Sequence, residues 1–395
     1  MKLLSLLRTA RMFLRVAGRL PPDHLWYLAR RMGDERPYRF GGQTRINSFF
    51  PPHPSPAFDR FCEAVVARRR VPYSTYLAVT SRCPCRCAHC SHAGRPEAEL
   101  DTAGALALIA QIKALGTCTL GLTGGEPLLR ADLEALLAAA GPEMATIVFT
   151  TGHGLDAARA RSLAESKLGC VTIGVEAADA EAHDAVRGCP GSFDEARAAA
   201  AACRAAGLHL ALSTVGTRER IASGELERIR LLAARWGASE LRVLTPVATG
   251  GFAGRPEAML DEAERAELVR FHLQGNRRSD GPAIACAAHL ESPELFGCGA
   301  GFHHLFVDSA GKVCPCDLTP LSFGDATEEP LAAIWARMER FFPLPRRACL
   351  MARLASELKA GEPLPLCRER SEALCPPRPA GEPLPEGFRR LSKNR

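Results

Sequence analysis

From Ser74 to about residue 280, short apolar runs alternate with longer Ala- and Leu-rich stretches. The runs at 75–80, 119–123, 145–150, 171–176, 209–215 and 241–247 read as strands buried on both faces. Between them, helices are predicted around 101–115, 131–140, 156–166, 193–206, 224–236 and 258–273. Asp101 and Thr102 are suited to cap the first, and Ser192 to open the fourth. Such alternation gives a parallel sheet covered by helices, here six βα units. The expectation is an α/β fold, a partial (β/α)6 barrel of the TIM type. A doubly wound sheet is the alternative that periodicity does not separate from it. In either geometry the C-terminal ends of the strands carry the function.

Outside 74–280 the pattern changes. Residues 1–73 form an N-terminal extension that opens with a helix to about residue 31. There Arg8, Arg11, Arg15 and Arg19 recur every three or four positions, against Leu3, Leu6, Phe13, Val16 and Leu20. The apolar side of such a helix either packs on its own protein or lies on an anionic membrane surface. Residues 49–56 (FFPPHPSP) read as an extended linker. Residues 281–375, where cysteines crowd, are expected to form a small second domain, and 376–395 a flexible Pro-, Gly- and Arg-rich tail.

With 47% hydrophobic and 24% charged residues, wholesale disorder is excluded. A net charge of +6 is too small and dispersed to make nucleic acid the main partner. Arginines interrupt the N-terminal apolar run, so it is neither a secretory signal nor a membrane span. A cytoplasmic location follows, with peripheral membrane contact through the helix as a further reading. In that reducing setting, the 16 cysteines are metal ligands sooner than a disulfide framework.

Directly after the first strand, Cys83, Cys87 and Cys90 form a C-x3-C-x2-C loop. Three thiolates on one short loop can hold three irons of a cube, leaving the fourth open to an amino-carboxylate ligand. Cys85 lies in the same loop and admits a C-x-C-x-C reading or a fourth ligand. The wider pattern makes it a spare thiol pointing away. Zinc is the competing metal, with His89 and His92 as rival ligands, although no second ligand pair follows nearby. The second strand ends in Thr123, Gly124, Gly125, Glu126 and Pro127. Paired glycines admit close approach of a ligand, and a carboxylate can receive an ammonium group. The GEPL string recurs at 361–364 and 381–384, but only here does it follow a strand and a glycine.

In these two motifs, their order and their separation, residues 74–250 resemble the radical S-adenosylmethionine (SAM) superfamily. The resemblance implies a [4Fe–4S] cluster on Cys83, Cys87 and Cys90 whose open iron binds the amino and carboxylate groups of SAM. Gly124, Gly125, Glu126 and Pro127 would meet the amino group, and His89 the adenine. Glu176 and Ser213 would serve ribose and carboxylate from the ends of the fourth and fifth strands, and Arg187 the SAM carboxylate. Each has a structural alternative: a salt bridge for Glu176, a helix cap for Ser213, a loop brace for Arg187. His92 is expected at the surface.

Further on, Cys298-Gly-Ala-Gly, a strand, Gly311-Lys-Val-Cys314-Pro-Cys316 and a helix ending in Ile-Trp follow one another. This order resembles the auxiliary-cluster extensions of radical SAM enzymes, SPASM or its shorter twitch form. It implies Cys298 and Cys316 as ligands, the rest coming from Cys349, Cys367 and Cys375, with Cys314 as substitute for Cys316. The dense C-x2-C-x5-C-x3-C run of a full SPASM domain is absent, so one auxiliary cluster is expected. Buried reduced thiols are the alternative, and Cys62, Cys118, Cys170, Cys189 and Cys203 read as packing residues.

The resemblance implies reductive cleavage of SAM to a 5′-deoxyadenosyl radical, hydrogen abstraction, and oxidative modification of a peptide or protein. A lipid-like or membrane-associated small molecule is the alternative substrate. A non-catalytic iron–sulfur electron-transfer protein and a zinc-binding module are the readings from other classes. An electron donor such as flavodoxin or ferredoxin is the expected partner, and no side chain stands out as a catalytic base.

Overall fold

The computed structural model describes residues 12–13, 16–358 and 362–392; Leu3, Leu6, Arg8, Arg11 and Arg15 of the expected N-terminal helix lie outside them. A hairpin of β1 (Tyr38–Phe40) and β2 (Gln43–Arg45) precedes the main sheet. That sheet contains β3 (Ser74–Thr80), β4 (Thr119–Gly124), β5 (Ala145–Thr150), β6 (Cys170–Gly174), β7 (Leu210–Val215) and β8 (Glu240–Leu244). It is completed by β9 (Ala283–Cys286), β10 (His304–Val307) and β11 (Val313–Cys314). The order is β11-β10-β3-β4-β5-β6-β7-β8-β9, parallel except for the β10/β11 pair.

Strands β3 to β9 follow one another across the sheet without reversal. A doubly wound sheet reverses at its switch point, so this is the winding of a barrel, left open between the edges β9 and β11. The six strands read from the sequence are all present. β6 and β8 end at Gly174 and Leu244, earlier than expected, because the residues beyond turn out of the sheet. Helices Pro56–Val66, Arg218–Ala222 and Ala180–Arg187 went unread, the last being short, with alanines and one valine as its only apolar residues. That last helix is set by the Asp179 side chain accepting from Ala182 N–H and ended by Gly188 in the left-handed region.

Side chains of β3 alternate across the sheet. Leu77 and Val79 join the large core under the helices, whereas Ala78 packs inside the barrel with Phe306 and Cys314. The N-terminal extension closes the barrel's lower end. Tyr38 Oη donates to Glu240 Oε2 at 2.9 Å, and Ser48 Oγ to Glu240 Oε1 at 2.5 Å, while Arg242 Nη1 donates to Ser48 Oγ at 2.9 Å. What remains accessible is the end where strands terminate.

Met12, Val16 and Leu20 are buried with Met32, Ile46, Phe58 and Cys62, so the described part of the N-terminal helix packs its apolar side on the protein. Among the described residues no helix is long and apolar enough to cross a membrane. The terminal stretch expected to be a loose tail carries a helix, Glu386–Ser392, whose Phe388 packs on Phe296, Phe302 and His303. Phe388 and Leu391, three apart, give that helix an apolar side which the surrounding Pro, Gly and Arg residues mask in the sequence.

Candidate iron–sulfur and S-adenosylmethionine site

The cysteine loop leaves β3 at Thr80 and is pinned from two sides. Arg86 N–H and Ala88 N–H donate to the carbonyls of Arg187 and Val186, at 2.9 and 3.1 Å. From the other side, Gly251 N–H donates to Cys90 O at 2.9 Å, and a Cβ on Gly250 or Gly251 would collide with the loop backbone. Gly250 also has φ +54°, so two glycines after β8 are required where no side chain fits. That Thr-Gly-Gly-Phe signal stood in the sequence unread.

Cys83, Cys87 and Cys90 feel one another's charge. Cys85 does not point away as expected: its sulfur is in hydrogen-bonding contact with Cys83, Cys87 and Cys189. The reason is period two. In an extended Cys-Pro-Cys-Arg-Cys segment, positions 83, 85 and 87 share a side. Cys87 is held down to about 6, first by the contact with Cys85 and, against desolvation, by Arg187 and His89. Its thiolate is therefore favoured, as a metal ligand needs.

The Gly124–Pro127 turn also performs a task that was not expected of it. Gly125 N–H donates to Thr80 O at 2.7 Å and Glu126 N–H to Arg82 O at 2.8 Å, and a Cβ on Gly124 or Gly125 would strike those same carbonyls. The glycines thus hold the cysteine loop against β4. The Glu126 carboxylate is fully buried and accepts from Thr150 Oγ1 (2.7 Å), Thr151 N–H (2.7 Å), Thr151 Oγ1 (2.6 Å) and Leu128 N–H (3.1 Å). With four donors in place, this carboxylate ties β4 to β5 and is not an open acceptor for an ammonium group.

Glu176, just past β6, is buried among His89, Arg187 and Arg220. His89 Nε2 and Arg187 Nη2 each lie 3.2 Å from Oε1, and Arg220 Nη1 lies 2.9 Å from Oε2. Burial opposes its charge, but His89, Arg187 and Arg220 together hold it well below the usual carboxylate range. Arg187 also donates to Cys87 Sγ at 3.6 Å. This buried network joins the cysteine loop to β6 and includes Arg220, which the sequence did not single out. Ser213 lies within β7 opposite Gly174, half-buried, and caps no helix. His92, expected at the surface, is half-buried and 3.0 Å from Ser81 Oγ.

A second group of thiols lies across the open edge of the barrel. Cys298 is in hydrogen-bonding contact with Cys349, and Cys316 lies in the field of both. The Cys349 contact holds Cys298 down to about 6 despite burial. All three line one cavity of about 260 Å3, together with Glu291, whose carboxyl is pushed up to about 8 by burial and next by Cys298. Glu291 keeps exposed surface where it lines this cavity. Cys314 turns the other way, toward Arg95 Nη1 at 3.6 Å. Of the other expected ligands, Cys367 is exposed ahead of the helix Arg368–Leu374 and Cys375 is buried beside Arg346, so neither joins the group. The donor sets fit iron–sulfur clusters: Cys83, Cys87 and Cys90 interact at the first place with Cys85 and Cys189 beside them, and Cys298, Cys316 and Cys349 at the second, with the charged forms favoured at Cys87 and Cys298.

A Radical SAM superfamily model matches residues 77–222, and a SPASM iron–sulfur cluster-binding domain model residues 298–355. The chain is 27% identical over 289 residues to an AdoMet-dependent heme synthase of Nitratidesulfovibrio vulgaris, covering 67% of this chain and 78% of that one. It is 30% identical over 285 residues to a PqqA peptide cyclase of Xanthomonas campestris pv. campestris, covering 68% and 75%. Streptococcus suis SuiB, solved bound to precursor peptide SuiA, shares the fold with a TM-score of 0.56 at 16% identity, covering 70% of this chain and 69% of that one. The chain belongs to the radical SAM superfamily, as an enzyme with a C-terminal SPASM domain. Its cofactors are accordingly a [4Fe–4S] cluster, SAM and auxiliary iron–sulfur.

Proposed function

We propose that the chain oxidises an organic substrate by radical chemistry at the first cysteine loop, with the second thiol group taking up the electron released. The observation that carries this is the joining of the Cys83, Cys87 and Cys90 loop to the buried Glu176, Arg187 and His89 network at the open end of the barrel. A [4Fe–4S] cluster with SAM supplies one-electron cleavage of SAM and a 5′-deoxyadenosyl radical that takes a hydrogen atom from the substrate. Cys83, Cys87 and Cys90 would hold that cluster, and Cys298, Cys316 and Cys349 the auxiliary one.

Arg187 keeps a fixed positive charge beside Cys87, stabilising the thiolate, and would face the carboxylate end of SAM. Glu176 orients Arg187 and His89, and Ser213 offers a hydroxyl at the next strand. With the Glu126 side chain engaged internally, the turn at Gly124–Pro127 would meet the amino group of SAM through its backbone. The strands and the N-terminal plug exclude water from below, which protects a reactive radical.

A peptide or protein substrate is supported by one relative's name, a peptide cyclase, and a lipid-like small molecule by the mostly apolar lining of the cavity beside Cys298. The test is anaerobic reconstitution with iron and sulfide, then addition of SAM and dithionite. 5′-Deoxyadenosine is the expected product. A fully iron-loaded protein that forms none is an electron carrier, and one that binds zinc in place of iron is a binding module.

A further inference from the structure

The cavity beside Cys298, Cys316 and Cys349 extends far from those thiols. It runs through the seam that the open barrel leaves between β9 and β11, past Leu244–Val247 at the end of β8 and Ala287–Glu291 after β9. Its outer wall is apolar, formed by Val16, Leu20 and Leu28 of the N-terminal extension and Phe61, Val65 and Val66 of the helix Pro56–Val66. Its inner end holds Arg242, Arg265 and Glu291. Arg242 is already bonded to Ser48 and Tyr76. Arg265 and Glu291 lie in each other's field, and among the described residues neither side chain has a hydrogen bond or close ion pair.

A volume of about 260 Å3 approaches the lower end of the range of small-molecule sites, about 300–1,000 Å3. A peptide inserted along the apolar wall would bury backbone N–H and C=O groups with no partners, which is costly. A hydrocarbon chain meets no such penalty and gains by leaving water. The polar pair then sits where a head group would arrive, in the same cavity as Cys298, Cys316 and Cys349.

We propose that this cavity is the substrate site and that its occupant is a single-chain amphiphile of fatty-acyl or isoprenoid type. Its chain lies along the outer wall and its hydrogen-bonding head faces Arg265 and Glu291. This names the substrate class of the reaction proposed above and rests on that reading.

The test uses the iron-reconstituted full chain and cis-parinaric acid, a fatty acid that fluoresces in apolar surroundings. Saturable binding at about one site per chain is expected. Val66→Phe and Val247→Phe, which fill the cavity from different walls, should each weaken it about tenfold or more, with iron content and thermal midpoint checked against the parent. Arg265→Gln tests the head end without filling the cavity, and should weaken the fatty acid while sparing competition by farnesol. Competition by palmitate alone or farnesol alone identifies the acyl or isoprenoid source. Absence of saturable binding by protein that cleaves SAM, or binding unaltered in all three variants, overturns the proposal. So does displacement by an apolar peptide but by neither lipid. SAM cleavage absent with probe binding intact overturns the proposed function and leaves the site assignment standing.

Discussion

The two cysteine groups of this protein are built in opposite ways. The first is a short loop of one segment whose shape is fixed by backbone contacts to Gly124, Gly125, Gly250 and Gly251. The second gathers Cys298, Cys316 and Cys349 from segments tens of residues apart, and its place is fixed by core packing around them. Local construction makes a site that spacing alone can announce. Distributed construction makes one that depends on the whole fold.

Removing ligands gives the strongest break in that comparison. Cys83→Ala/Cys87→Ala/Cys90→Ala should abolish 5′-deoxyadenosine formation and lower bound iron by about four atoms per chain, leaving the second site loaded. Cys349→Ala should empty the second site alone, and Cys367→Ala should change neither iron content nor unfolding. Iron content by metal analysis and cluster absorption check all three. Retention of all iron in the triple variant would give Cys85 and Cys189 a ligand role that the first site does not require.

Next in size is the buried network. Arg187→Met leaves Glu176 with His89 and Arg220 only, and deprives Cys87 of its guanidinium. Breaking a buried pair by removing one partner costs about 3–5 kcal/mol, and the two remaining partners should keep the loss near the lower figure. Urea unfolding measures it. The same variant should lose iron faster from the first site than from the second, since only the first touches Arg187.

What could be read beforehand follows the same division. The six strands, their helices and the Cys83–Cys90 loop have local signatures, an apolar period or a ligand spacing, and they were legible. The brace at Gly250–Gly251, the Arg220 contact and the choice of Cys349 over Cys367 and Cys375 are products of tertiary packing. Their residues meet only when β6, β8 and β10 are in place. Glu126 shows the limit from another side: its motif was visible, but its four internal donors on β5 and the adjoining turns were not. Cys85 was misplaced for a simpler reason, because the period of an extended loop was not applied to it.

Acid should sharpen the contrast by a smaller amount through His183, which lies behind the first site and is almost fully buried. Its Nδ1 accepts from Glu176 N–H at 3.1 Å, so the ring must be neutral in the folded chain. Burial, and then Arg187, hold its pKa down to about 4 from 6.5. Well above pH 6.5 neither folded nor unfolded chain protonates it, and its full contribution to stability is present. As the pH falls from 6.5 toward 4, the unfolded chain takes up a proton that the folded chain refuses, and stability is lost. Between pH 7.5 and 5.0 this one group should cost about 2 kcal/mol. His183→Asn keeps an acceptor for Glu176 N–H and cannot titrate, so its unfolding free energy should fall less over that interval by the same amount. Equal pH dependence in the two proteins would show that His183 is charged in the native state, and that the loop behind Cys87 is held by something other than this neutral ring.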